Sequence, residues 1–353
     1  MHDKREAQNV ASRPGGEAVR SEARDSTEKV RRAASAQLPM STTKRPGRAA
    51  VLRRVDGVLL LDKPLGLSSN AVLQQAKRLY RAEKAGHMGT LDPLATGLLP
   101  LCFGQATKFA HMLLDADKTY AATIRFGETT STGDAEGNVL DRRRVEFTEP
   151  ELNAALRRFV GRIQQVPPRH AALKYRGRNY YEYAREGIDI PRVAREVIVH
   201  ALALDAWNAP DARVTLRCAK GTYVRVLAED LGRDLGCGAH LAGLRRVHSG
   251  GFDIAGAISL EALTSMTEAD RDARLLPADV LVAALPRLDL SHAEIARFVQ
   301  GQAIDRLGVE DGVYRAYAAG VFAGIARAEA GVARPHRVMV PPVARAPVES
   351  LES

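Results

Sequence analysis

Three short stretches of this chain hold the residues whose types and spacing suit chemistry. The first is Gly86-His87-Met88-Gly89-Thr90-Leu91-Asp92-Pro93-Leu94-Ala95-Thr96-Gly97, where glycines, a proline and polar side chains sit between apolar flanks. Such a loop presents a lone carboxylate, Asp92, beside a wall of backbone. Asp-Pro is also an ordinary turn starter, so an Asp92 that only caps a turn fits the same residues. The Gly-x-x-x-x-Gly-Lys-[Ser/Thr] spacing of a phosphate loop is absent. The second stretch, Lys220-Gly221-Thr222-Tyr223-Val224-Arg225, falls at a strand-to-helix junction. There Arg225 is either a surface charge or, set against a buried carboxylate, the group that keeps that carboxylate ionised and fixed. The third runs from Pro167-Pro168-Arg169-His170 through Lys174-Tyr175-Arg176-Gly177-Arg178 to Tyr180-Tyr181-Glu182-Tyr183. Cations interleaved with tyrosines suit single-stranded or flipped nucleic acid, since rings stack bases and cations hold phosphates. A helix with a tyrosine core face is the alternative.

The elements that must position these residues are legible from period and punctuation. Residues 55–62 read as a strand ended by the Lys63-Pro64-Leu65-Gly66 turn, and Ser68 or Ser69 caps a helix reaching Tyr80. The glycine- and proline-rich residues 86–104 read as irregular. Residues 105–114 look helical, 120–126 extended, and 129–138 a polar loop. Helices are expected over 149–160, with Pro150 in the first turn, and over 223–235; strands are expected over 197–207 and 214–219. Past a boundary near residues 284–288, a short helix at 291–299 and small strands at 313–317, 321–326 and 338–340 suggest a compact β-rich appendage. Helices and strands mix without a regular βαβ repeat, so the class is α+β with a mixed sheet.

Charge adds a direction. The chain of 353 residues carries +9, of which +5 lies in residues 1–50 and +7 in residues 151–250, while residues 251–353 carry −4. An excess placed that way permits a face for phosphates without establishing one. Mean hydropathy is −0.20 and no apolar run reaches eighteen residues, so no membrane partner is expected. Cys102, Cys218 and Cys237 are scattered, with no Cys-x-x-Cys pair, which suits a reducing, cytoplasmic setting and gives no metal site. The acid-containing N-terminus lacks a signal peptide's apolar core and reads as a disordered basic extension, with Met40 a second plausible start.

Taken together, the motifs resemble the TruB-type pseudouridine synthases of the bacterial tRNA branch. The matching text is Leu61-Asp62-Lys63-Pro64, Ser68-Ser69-Asn70, the Gly86–Gly97 loop and Gly104-Gln105-Ala106-Thr107-Lys108. It continues through Lys118-Thr119-Tyr120, Val166-Pro167-Pro168, Lys220–Arg225, Leu235-Gly236-Cys237-Gly238-Ala239-His240 and Leu244-Arg245-Arg246. Two features depart from the family: Ala171 where a serine is frequent, and the long N-terminal tail.

The resemblance implies a pseudouridine synthase fold over 51–285, a mixed sheet with flanking helices and a central RNA cleft. It also implies a PUA-like RNA-binding domain over 286–345, with 1–50 an extension and 346–353 a tail. The implied reaction is isomerisation of the T-loop uridine at tRNA position 55, after base flipping. Asp92 would be the nucleophile, attacking C1′ or C6. Arg225 would pair with it, and Tyr120 would stack on the base and relay the C5 proton. His87 would take up space in the T-loop, Tyr223 and Leu244 would line the uracil pocket, and Lys63 would support the cleft. The reaction needs no metal or cofactor. The expected partner is the tRNA T-arm, with no obligatory protein partner and a monomeric chain. A guide-RNA-directed catalytic subunit and a non-catalytic RNA-binding or RNA-folding protein of the same fold are the alternatives.

Overall fold

The computed structural model describes residues 51–171 and 173–339. The basic N-terminal extension, residues 346–353 and the end of the strand expected at 338–340 lie outside them.

A ten-stranded mixed sheet forms the frame. Its strands are β1 (Gly57–Lys63), β2 (Ala85–His87), β3 (Ala95–Phe103), β4 (Lys118–Phe126), β5 (Gly161–Gln165), β6 (Arg195–Asn208), β7 (Asp211–Cys218), β8 (Ala239–Ser249), β9 (Phe252–Asp253) and β10 (Ile258–Ser259). The order is β10-β1-β3-β8-β4-β7-β6-β5, with β2 beside β3 and β9 beside β8. Pairings are antiparallel except β10 with β1 and β3 with β8. Helices α1 (Ser69–Leu79), α2 (Glu149–Arg158), α3 (Val224–Asp234) and α4 (Leu260–Ser265) accompany it.

The strand period separates the cores. Leu59 and Leu61 of β1 pack with α1 and α4, while Val58 and Leu60 join Phe109, Leu281 and Ile325 on the opposite face. A further core beneath α2 and α3 takes Ile124, Phe126, Leu216 and Leu231. Tyr120 and Leu244 touch both this core and the α1 core, so they stand at the seam between two halves of the sheet. Helix starts follow the sequence signals. Ser68 accepts the Ala71 N–H at 3.1 Å, and Thr148 with Glu151 forms a capping box ahead of α2.

Residues 86–104, expected to be irregular, instead contain β2 and the central strand β3. Pro100 masked the strand. Its carbonyl, on the same side as its nitrogen, accepts from Met88 where β2 ends, so the missing N–H interrupts no ladder. The polar loop expected at 129–138 is a hairpin turn between Glu128–Thr130 and Val139–Arg142. The helix expected at 105–114 is broken into a 3₁₀ turn at Gly104–Lys108 and a short helix at His111–Leu114.

A second, five-stranded sheet holds Arg287–Leu290, Ile304–Asp305, Gly312–Ala318, Val321–Glu329 and Val332–Val338, with the helix His292–Val299 against it. It forms the small PUA-like β domain. Phe322 packs on Phe109 with ring centroids 5.3 Å apart, and Lys108 donates to the Val338 carbonyl at 2.7 Å.

Candidate active site

A cleft of about 250 Å³ opens at the seam, lined among others by Asp92, Tyr120, Tyr223, Arg225 and Leu244. Asp92 sits in the loop between β2 and β3, and that loop is strapped down from beneath. The buried Ser69 hydroxyl accepts the Leu91 N–H at 2.7 Å and donates to the Leu91 carbonyl at 2.9 Å. Gly66 donates to the Pro93 carbonyl at 2.9 Å, and Ala95 to the Asp92 carbonyl at 3.0 Å. Gly97 turns with φ of +98°, and a Cβ there would lie 2.3 Å from the Arg246 carbonyl, so only glycine lets the two strands approach.

Lys63 is wholly buried, and its ammonium donates to the Pro64, Leu67 and Pro93 carbonyls at 2.9, 2.5 and 3.4 Å. Burial pushes it down to about 8, against the pull of Asp92 and Glu136. Its donors are spent on backbone, so it fastens the Asp92 loop.

Arg225, in the first turn of α3, is 8% exposed in its side chain. Its Nη2 lies 2.9 Å from Asp92 Oδ2 and its Nη1 3.1 Å from Asp134 Oδ2. Asp134 is 3% exposed, whereas Asp92 is 42% exposed toward the cleft. The other Asp134 oxygen accepts from Thr132 Oγ1 at 2.6 Å and from the Glu136 N–H at 3.1 Å. The guanidinium thus bridges a buried anchor and an open carboxylate, with both ends fixed.

Tyr120 lines the cleft from β4, where burial pushes its phenol up and the Arg246 guanidinium opposes that shift. Tyr223 caps α3; its N–H donates to Gln165 Oε1 at 3.0 Å, and Gln165 Nε2 donates back to its carbonyl at 3.3 Å. Leu244 supplies an apolar wall. His87 stands apart: it is half-buried in β2, outside the cleft lining, and its Nδ1 has no hydrogen-bond partner among the described residues. Burial and Arg246 hold His87 below the usual histidine range. Of the residues singled out in the sequence, the structure brings Asp92, Tyr120, Tyr223, Arg225 and Leu244 to one cleft, puts Lys63 beneath it and His87 beside it. Asp134, Ser69 and Gln165 were not singled out as site residues.

The loop strap gives a direct test. Ser69→Ala is expected to orphan both Leu91 backbone groups and to lower stability by about 1–3 kcal/mol. A urea midpoint unchanged from wild type would contradict it.

The chain matches three family models in sequence order. These are TruB family pseudouridylate synthase (N terminal domain) over residues 77–224, tRNA pseudouridylate synthase B C-terminal domain over 225–283, and Pseudouridine synthase II TruB, C-terminal, over 286–339. The tRNA pseudouridine synthase B of Burkholderia mallei is 52% identical over 307 residues, covering 85% of this chain and 99% of that protein. The tRNA pseudouridine synthase B of Methylobacillus flagellatus is 50% identical over 277 residues, covering 78% and 92%. Among solved structures, a chain of a Cbf5-Nop10-Gar1 complex superposes with a TM-score of 0.59 at 25% identity, covering 77% of this chain and 78% of that one. A chain of the archaeal box H/ACA sRNP Nop10-Cbf5 complex gives 0.62 at 23%, covering 86% and 94%. The mixed sheet with its seam cleft is therefore the pseudouridine synthase fold. More narrowly, the half-identity to relatives matched over nearly their whole length settles the family: the chain belongs to the TruB family of pseudouridylate synthases.

Proposed function

We propose that this chain isomerises the T-loop uridine of tRNA, at position 55, to pseudouridine. The observation that carries the reading is the Asp92–Arg225–Asp134 bridge opening onto a cleft walled by Tyr120, Tyr223 and Leu244. The relatives' names supply tRNA as the substrate class. The target base leaves its stack, which costs a few kcal/mol and less in a loop than in a duplex. Its ring enters between Tyr120 and Leu244, while Arg225 holds Asp92 against the nucleotide. The carboxylate attacks the sugar C1′ or the uracil C6; the base detaches, turns and rejoins through C5. The C5 proton then leaves by way of Tyr120. Bonds break and form within one nucleotide, so nothing is oxidised or hydrolysed and the chemistry calls for no cofactor. His87 fits the T-loop beside the cleft, and Lys63 acts through the loop it fastens. With one cleft per chain, the enzyme works as a cytoplasmic monomer on RNA alone, and the domain spanning 286–345 extends the RNA surface beyond the catalytic domain of 51–285.

The test is incubation with an unmodified tRNA transcript, without guide RNA, followed by pseudouridine mapping. A single product at the T-loop uridine is expected. Tight binding without product would favour a guide-directed or purely binding protein.

A further inference from the structure

Arg246 is a charged residue that the reaction as set out above does not use, and its placement is unusual. It is 1% exposed, yet among the described residues no carboxylate lies within ion-pairing distance of it. Burying an uncompensated cation is costly. Its donors go to backbone of β3 and of the Asp92 loop. Nε donates to the Leu98 carbonyl at 2.7 Å and Nη2 to the Gly89 carbonyl at 3.2 Å, three residues before Asp92. Across the β8–β4 pairing Arg246 is opposite Tyr120, and both residues line the cleft. One residue therefore holds the loop that carries the proposed nucleophile and stands across the strand pair from the tyrosine proposed to take the last proton.

We propose that Arg246 is a positioning residue that locks the Asp92 loop to Tyr120 and keeps the Tyr120 oxygen able to accept the C5 proton. This rests on the reading of Tyr120 given above. In the last step the C5–H bond breaks and its electron pair forms the C5–C6 double bond, while the C6–N1 π pair moves to N1, which takes a proton from water. For attack at C6, the Asp92 oxygen instead leaves C6 as carboxylate. In either case the C5 proton goes to the Tyr120 phenolate. The resulting phenol returns its proton to water. Several groups face that oxygen: Asp92 from the loop, Cys218 from β7 and Arg246 from β8. Lys118, on the tyrosine's own strand, is turned to the Leu114 and Ala116 carbonyls at 2.8 and 2.5 Å. Asp92 and burial both disfavour the phenolate, and Arg246 is the cation that favours it.

The experiment compares single-turnover rates on tRNA carrying protium or deuterium at C5 of the target uridine, across pH, for wild type, Arg246→Gln, Arg246→Lys and Tyr120→Phe. Arg246→Gln keeps a donor for the Leu98 carbonyl and loses the charge. It is expected to slow on the order of 10²-fold, to gain a C5 isotope effect that wild type lacks, and to shift its alkaline-rising limb to higher pH. The sign follows because removing a cation raises the phenol pKa, so the phenolate forms later in pH. Arg246→Lys keeps the charge and is expected to leave the limb in place; a limb displaced to high pH there overturns the proposal, even if the Gln variant fails to fold. Slowing of Arg246→Gln without an isotope effect or a moved limb also overturns it, since a merely structural loss has that form. If Tyr120→Phe shows the C5 isotope effect and Arg246→Gln does not, only the role of Arg246 falls. If neither shows it, the Tyr120 reading falls as well.

Discussion

Asp92→Asn is expected to bind unmodified tRNA as the wild type does and to form no pseudouridine, a loss of about 10⁴-fold or more. The side chain keeps its shape, and its carbonyl oxygen still accepts from Arg225 Nη2, which in the native chain lies 2.9 Å from Asp92 Oδ2. What disappears is the negative charge that the proposed nucleophile needs. The loop itself does not depend on that charge. Ser69, Lys63 and Gly66 hold it through backbone groups of Leu91 and Pro93. Asp92→Glu separates charge from position: the carboxylate survives but moves by one methylene, and a displacement of about 1 Å costs on the order of 10²-fold. Filter binding gives affinity, and single-turnover mapping gives the rate. Turnover near wild type in Asp92→Asn would remove the nucleophile assignment, whereas lost binding in both variants would make Asp92 a substrate-contact residue.

The sequence made the two ends of this site visible and hid its middle. Asp92 and Arg225 stood out because each lies in a loop or junction whose glycines and proline have a conformational purpose. Helix α1 followed from its cap and apolar stripe, and α2 from its helical spacing and Pro150, since these signals are local. The strand β3 was obscured by Gly97 and Pro100, whose fit depends on which neighbours end beside them, and that is a tertiary fact. Asp134 was hidden for a similar reason. Between two glycines in a polar stretch it reads as a turn residue, and its turn does use it, through Thr132 and Glu136. That its second oxygen meets Arg225, from a helix far along the chain, depends on where α3 packs against the sheet. Arg246 appeared only inside the Leu244-Arg245-Arg246 motif and without a role, because its burial is what makes it exceptional.

Asp134→Asn is expected to lower the single-turnover rate by about 10²–10³-fold with little change in tRNA affinity, an effect of roughly 3–4 kcal/mol on the barrier. The amide oxygen can still accept from Thr132 and from the Glu136 N–H, so the turn survives. Its nitrogen then faces Arg225 Nη1, donor against donor, and the 3.1 Å contact is lost. Arg225 would keep only Asp92 as a counter-ion. That tightens its hold on the Asp92 charge, which the proposed attack would spend: a carboxylate turned into an ester would stop compensating Arg225. In the native site Asp134 keeps the buried guanidinium paired, so the proposed covalent state would not be penalised by an isolated buried cation. The loss therefore falls on the chemical step and not on binding. Asp134→Ala adds a vacancy and orphans the turn donors, so its urea midpoint should fall further than that of Asp134→Asn. A wild-type rate in Asp134→Asn would show that Asp92 needs Arg225 alone. A weakened tRNA affinity with an unchanged single-turnover rate would move Asp134 from the chemistry to RNA docking.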